Sequence, residues 1–134
     1  ARRRMCVTAG GMVRMKCLIV EDDQDLAPLW QEELEALGIS SPVAHSRSAA
    51  MDRLLLGGYD VVIIDLNLPD GHGVEVAEMT DFRIPGCPVV IVTGSGEFAD
   101  GHIFNLCRNV AAVFRKTINM DDMYAFVQHM ARKR

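Results

Sequence analysis

Glu21-Asp22-Asp23, Asp65, Thr93 and Lys116 each stand directly after, or one residue beyond, a short apolar run, and they are the residues of this chain best suited to chemistry. Glu21, Asp22 and Asp65 would gather three negative charges, which is unfavourable unless one is protonated or a cation intervenes. Counting Lys116, the group carries 1 - 3 = -2, a charge that a divalent ion would neutralise. Magnesium suits such a site because it takes a few carboxylate oxygens together with waters and a phosphate. It would align Asp65 with an incoming phosphoryl group and spread the charge of transfer. Lys116 and the Thr93 hydroxyl would then hold the phosphoryl oxygens.

Taken singly, each of these residues has a plainer reading. Asp22 and Asp23 could both cap a helix, a common role for acids there; we assign the cap to Asp23 and the metal to Asp22. Asp65 could be a turn residue before Asn67-Leu-Pro-Asp-Gly, and Lys116 a solvated lysine. Thr93-Gly-Ser-Gly96 resembles a phosphate-cradling turn but lacks the P-loop lysine, so it reads as a flexible loop. His45, His72, His102 and His129 lack metal-ligand spacing and read as surface or packing residues. His72 is the exception, since its loop follows Asp65 and can overhang the pocket.

The elements that must position these residues follow from hydrophobic periodicity. Cys17 to Val20, Val61 to Ile64, Val89 to Val92 and Val110 to Phe114 are mostly continuous and β-branched, as in strands buried on both faces of a parallel sheet. Val43 to His45 is a weaker strand. Leu26, Leu29, Trp30, Leu34 and Leu37 recur at three- and four-residue steps opposite Gln31, Glu32, Glu33 and Glu35, which marks an amphipathic helix ended by Gly38. Pro28 falls in its first turn, where a missing amide is tolerated. Ser46 to Leu56 and Val74 to Phe82 read as the second and third helices. A fourth, around Ala99 to Arg108, is interrupted by Gly101 and Asn105. In the fifth, Asn119 caps, Asp121 and Asp122 suit the positive end, and Met123, Phe126, Val127 and Met130 face inward. Five alternating units imply a parallel sheet with helices on both faces, and ligands in such sheets bind beyond the carboxyl ends of the strands.

Bulk properties narrow the function classes. The 134 residues suit one domain. A net charge of -4 does not favour nucleic acid or an anionic membrane, although Arg2, Arg3, Arg4, Arg14 and Lys16 near one end and Arg132, Lys133 and Arg134 at the other are basic. Cys6, Cys17, Cys87 and Cys107 form no CxxC pair, which favours reduced thiols and a cytoplasmic setting. No apolar run approaches the roughly 20 residues that cross a bilayer.

The stretches CLIVEDD, DVVIIDLNLPDGHG, VVIVTG and AAVFRK, in this order on successive strands, resemble the response-regulator receiver family of two-component signalling, from Met15 onward. The resemblance implies a (βα)5 flavodoxin-like α/β fold with strand order 2-1-3-4-5. It implies a receiver domain over 15–134; the Arg run and the lack of a continuous apolar stretch make 1–14 read as a basic, disordered extension. By this likeness Asp65 matches the phosphoacceptor, Asp22 a direct Mg2+ ligand, Glu21 a ligand through water, and Asn67 the residue whose backbone carbonyl binds the metal. Thr93 matches the switch hydroxyl and Lys116 the phosphate-contacting lysine. The implied partners are a sensor histidine kinase or histidine phosphotransfer protein and a downstream protein target, with no direct nucleic acid or membrane contact. A homodimer could form through the fourth-helix, fifth-strand and fifth-helix face. The implied role is a phosphoacceptor signalling domain rather than an enzyme, beyond its own phosphorylation and dephosphorylation.

Two positions depart from the family pattern. Val113 stands where an aromatic residue usually reports the state of the threonine, and neighbouring Phe114 should point to the opposite face. Thr117 follows the lysine where proline is usual, so a trans bond or rearranged loop is expected, a non-proline cis bond costing about 3 kcal/mol. Gly94 should leave the pocket open, while Ser95 and Asn67 flank the path of a hydrolytic water. Three other readings remain. A flavin-binding protein would need phosphate donors where Glu21-Asp22-Asp23 stands. An aspartate-nucleophile phosphohydrolase would need a general acid where Asn67 stands. A receiver-like interaction module or phosphate sink would keep the fold and dispense with switching.

Overall fold

The computed structural model describes residues 15–94 and 107–133, together with the backbone of 7–8 and 11–12. Strands β1 (Met15–Val20), β4 (Val61–Asp65) and β5 (Val89–Thr93) coincide with the apolar runs, and β6 (Val110–Arg115) follows them. The second strand position is split into β2 (Ile39–Ser40) and β3 (Val43–Ala44), both parallel to β1. Pro42 lies between them and cannot donate to a ladder, yet its carbonyl accepts from Ile19 N–H at 3.0 Å. The single expected strand over Val43 to His45 is therefore shorter than anticipated and has a companion at Ile39. The sheet runs β6-β5-β4-β1-β2, with β3 also on β1, and every ladder is parallel. This is the expected 2-1-3-4-5 order, with β2 and β3 sharing the second place.

Helices α1 (Leu26–Ala36), α2 (Arg47–Leu56), α3 (Gly73–Arg83) and α4 (Asp121–Lys133) cover the sheet. Alternation along the strands divides the core in two. Leu18, Val20, Val62, Ile64, Val89 and Ile91 pack with Ala50 and Leu54 of α2 and Val76 and Ala77 of α3. Cys17, Ile19, Val61, Ile63, Val90 and Val92 pack with Trp30 and Leu34 of α1 and Met123 and Val127 of α4 on the other face. Adjacent residues thus serve opposite layers, which is why the runs are apolar without a break.

The helix starts are set by short-range capping. Asp23 Oδ1 accepts from Asp25 and Leu26 N–H at 2.8 and 3.0 Å, as expected of the cap of α1. Ser46 Oγ accepts from Ala49 N–H, and Asn119 Oδ1 from Asp121 N–H. Gly38, after α1, has φ +86°, a conformation that side chains resist.

An additional antiparallel ladder joins Asn67–Leu68 to Gly71–His72 directly after β4, and another joins Val7–Thr8 to Gly11–Met12 within the expected extension. The helix expected around Ala99 to Arg108 lies outside the described residues except for Cys107 and Arg108, which lead through a turn into β6; Ser95, His102 and Cys6 lie outside as well. Among the described residues Cys17, Cys87 and Cys107 are buried, and no helix is long and apolar enough to cross a membrane.

Candidate phosphoryl and metal site

Parallel pairing aligns the carboxyl ends of β1, β4, β5 and β6, so residues far apart in sequence meet beyond them. Glu21 continues β1, its N–H donating to Ala44 O at 3.0 Å. Asp65 ends β4 opposite Val92, and Arg115 lies opposite Thr93. Lys116 N–H donates to Thr93 O at 3.0 Å and so extends the ladder by one bond. From there the lysine side chain turns across the strand ends. Its ammonium lies 2.9 Å from Glu21 Oε1 and 3.1 Å from Asp65 Oδ2. Asp65 Oδ1 accepts from Asn67 N–H at 3.1 Å, so both carboxylate oxygens are engaged.

Burial sets the electrostatics. Glu21 is fully buried, and Asp65 and Thr93 nearly so. Loss of solvent pushes the Glu21 carboxyl up to about 7, against the opposing pull of the Lys116 ammonium and the Asp23 N–H; the Asp65 charge adds to the rise. Burial alone would lower the pKa of Lys116, but the hydrogen bonds and charges of Glu21 and then Asp65 outweigh it and hold the ammonium above its ordinary range. One lysine thus serves two acids.

Glu21, Asp22 and Asp65 each offer a carboxylate oxygen, all within 4.8 Å of one another. Among the described residues Glu21 Oε1, though close to Lys116, receives no well-directed hydrogen bond, and Asp22 is half-exposed at the mouth of the group. Oxygen donors, excess negative charge and an under-satisfied buried carboxylate fit a hard divalent cation with access to water. The arrangement can hold such an ion, present a fixed carboxylate and supply an ammonium for an anionic group. Gly94 leaves space beside it: among the described residues a methyl group there would meet only Lys116 Cδ, at 3.9 Å.

The geometry answers the known proteins it resembles. The response regulator receiver domain profile matches residues 17–128. The chain belongs to that family. ArlR of Staphylococcus haemolyticus, a response regulator, is 27% identical over 116 residues, covering 87% of this chain and 52% of ArlR. The chain spans about half or less of the length of the curated relatives it matches first. A receiver domain protein from Methanospirillum hungatei superposes with a TM-score of 0.81 at 21% identity, over 90% of this chain and 96% of that one. The response regulator TrrA of Thermotoga maritima, solved in complex with Mg2+-BeF, gives 0.77 at 22% identity, over 87% and 98%. At these identities the two structures speak for the fold alone. This receiver domain is accordingly a signalling module of the two-component class.

The sequence signals left three residues of the site region unassigned. Asp70, in the loop after Asp65, accepts from Arg47 and Ser48 N–H at 2.7 and 2.9 Å and caps α2; those two amides hold its carboxyl below the usual range. Arg47 reaches back to Glu75 at 3.3 Å. Gly73 starts α3 against the end of β4: an added Cβ would collide with Asp65 O and come within 2.9 Å of Ile64 Cγ2 and Leu66 Cα. The glycine in DGHG is the only local trace of this close approach. His72, expected over the pocket, accepts from Val74 N–H through Nδ1 and forms a capping box with Glu75. His45 Nδ1 lies 3.1 Å from Glu21 O.

The departures from the family pattern are also located. Val113 pairs with Ile91 and packs on the α2–α3 side, whereas Phe114 packs on the α1–α4 side, its ring 5.9 Å from Phe126. Phe114 therefore does not replace an aromatic at position 113. Among the described residues all peptide bonds are trans, including the bond to Thr117.

Proposed function

We propose that this receiver domain accepts a phosphoryl group on Asp65 from a phosphohistidine donor. Mg2+ would be held by Asp22, Asp65 and the Asn67 backbone carbonyl, and by Glu21 through water. The observation that carries the reading is the Lys116 ammonium between Glu21 Oε1 at 2.9 Å and Asp65 Oδ2 at 3.1 Å, at the edge of a cluster of three acids. The Mg2+-BeF complex of TrrA, a protein of the same fold, lends support. When bound, magnesium would neutralise the carboxylates and offset charge on the transferring group.

The chain's own residues supply the rest. Asn67 N–H and Lys116 hold the two Asp65 oxygens, so the carboxylate is oriented before the donor arrives. As an Asp65 oxygen bonds to phosphorus, the donor's P–N bond breaks, and its electron pair returns to the imidazole, which takes up a proton. Lys116 and the Thr93 hydroxyl then bind phosphoryl oxygens. Drawing Thr93 inward would reshape the face made by β6, α4 and the helix expected around Ala99 to Arg108. That face would engage a protein target or a second copy of the chain. A sensor histidine kinase or histidine phosphotransfer protein is the proposed donor. The buried thiols of Cys17 and Cys107 agree with a cytoplasmic setting.

Incubation with Mg2+ and acetyl phosphate, read by intact mass, tests the reading. A phosphate-sized adduct on wild type and none on Asp65→Asn is the expected result; no adduct on wild type, or an unchanged one on the variant, overturns it. A second reading, an interaction module or phosphate sink without switching, is favoured by Val113 and Thr117, the two departures from the family pattern. It predicts the same affinity for partners with and without a phosphoryl mimic.

A further inference from the structure

Lys116 serves two acids, yet it stands at the end of its strand, followed by three exposed residues, Thr117, Ile118 and Asn119. The Ile118 side chain is as exposed as it can be and provides no anchorage. A four-carbon side chain on a loose backbone would not keep its ammonium between two carboxylates, because both the loop and the lysine would have to be ordered at the same time. The anchorage has to come from elsewhere, and the structure contains it. Thr117 N–H donates to Met120 Sδ at 3.4 Å. Thr117 Oγ1 donates to Asn119 O at 2.7 Å and lies 3.6 Å from the same sulfur. Met120 is buried in the cluster that also holds Met123, Tyr124 and Val92, and its carbonyl accepts from Tyr124 N–H at 3.1 Å, the first turn of α4.

We propose that Thr117 and Met120 form a latch that positions the Lys116 ammonium at Asp65. The thioether acts as a buried hydrogen-bond acceptor closing the turn between β6 and α4. On one side of Lys116 its own N–H is tied to Thr93 O; on the other side Thr117 N–H is tied to Met120 Sδ. A lysine fixed at both flanks loses most of its backbone freedom, which leaves its side chain only rotamers to settle. A thioether is a weak acceptor, so a single bond of this kind would be a soft restraint. The Thr117 hydroxyl, bonded to Asn119 O and near the sulfur, makes it a closed turn. Proline at 117 could not make the bond, having no N–H. Thr117 and Met120 are therefore positioning residues, acting through Lys116 and touching no phosphoryl group themselves.

The geometry of the latch is independent of phosphorylation; its consequence for transfer rests on the phosphoacceptor reading of Asp65. Met120→Leu keeps the volume and removes the acceptor, Thr117→Val keeps the shape and removes the hydroxyl, and Thr117→Ser keeps both donors. In the unphosphorylated protein, amide exchange at Thr117 should quicken about fivefold in Met120→Leu, the worth of one net hydrogen bond. The Lys116 ammonium resonance in a nitrogen-detected spectrum should weaken in Met120→Leu and in Thr117→Val. Phosphorylation by acetyl phosphate should slow about fivefold in both, with the Mg2+ midpoint unchanged and Thr117→Ser restored to wild type. A wild-type Lys116 resonance and wild-type transfer in Thr117→Val would overturn the latch even if Met120→Leu failed to fold. So would slowed transfer that tracks a lowered unfolding midpoint alone. A wild type that gains no phosphate while the variants lose the Lys116 resonance would overturn the Asp65 reading and uphold the latch.

Discussion

Glu21→Gln should make the metal-free protein more stable at neutral pH, although it removes a charged partner of Lys116 from the core of the site. In the folded chain burial raises the Glu21 carboxyl from its ordinary 4.5 to about 7, so the folded state holds its proton more tightly than the unfolded chain does. The stabilisation from the protonated form is fully present below the unfolded value of 4.5 and is lost as pH rises toward 7. At about 1.4 kcal/mol per pH unit, ionised Glu21 costs on the order of 3 kcal/mol above that window. Glutamine carries no charge at any pH and escapes this cost. It has one carbonyl oxygen for two neighbours, the Asp23 N–H at 3.0 Å and the Lys116 ammonium at 2.9 Å, and forfeits one of these contacts. A hydrogen bond is worth about 1 kcal/mol net, which leaves the variant about 2 kcal/mol more stable above pH 7.5. Below pH 4.5 only the lost contact remains, and the variant should be the weaker by about 1 kcal/mol. Urea unfolding of both proteins from pH 4 to pH 8 with a chelator present would show two stability curves that cross. Magnesium should reverse the order: at a hundredfold excess over its dissociation constant the wild type gains about 2.7 kcal/mol, and the variant less. A difference that does not grow with pH, or a variant less stable at pH 8, would refute the view that this acid is held at an energetic loss for the sake of a cation.

Gly73→Ala should cost about 1–3 kcal/mol in urea unfolding and slow transfer to Asp65, because the new Cβ displaces the Asp65 carbonyl; unaltered stability would mean α3 shifts freely. Asp70→Asn should lower the melting temperature at neutral pH by weakening the cap of α2. The Asp70 carboxyl is held below its unfolded value, so its contribution is present above that value and lost on acidification; the two melting curves should converge in acid. Phe114→Leu should cost about 1 kcal/mol through the lost edge contact with Phe126 and leave Asp65 phosphorylation unchanged. A change in phosphorylation there would place Phe114 on the switching route.

The strands and helices were legible because each apolar run serves two layers and each helix carries one stripe. Cys17 to Val20, for example, alternates between the α1–α4 and α2–α3 clusters residue by residue. Asp23 as cap of α1 and Asn119 as cap of α4 were also readable, since capping acts within three residues. The split at Pro42 and the ladder after Asp65 were not. Two-residue strands have no periodicity to display, and their pairing is decided by what lies alongside. His72 illustrates the same limit: proximity in sequence to Asp65 suggested the pocket, whereas local backbone geometry made it a cap.

The sequence by itself determined which groups are available and at which strand ends: three acids, a hydroxyl and a lysine, distributed over the ends of four apolar runs. Those assignments rest on local periodicity and on side-chain chemistry, which need no knowledge of distant neighbours. Only the tertiary structure decided how they are used. It put one ammonium between Glu21 and Asp65, buried Glu21 completely, gave Asp70 to α2 and set Met120 beneath Thr117. Each of these joins elements whose separation is set by packing, and a pKa or a hydrogen bond depends on distance and solvent exclusion rather than on residue type.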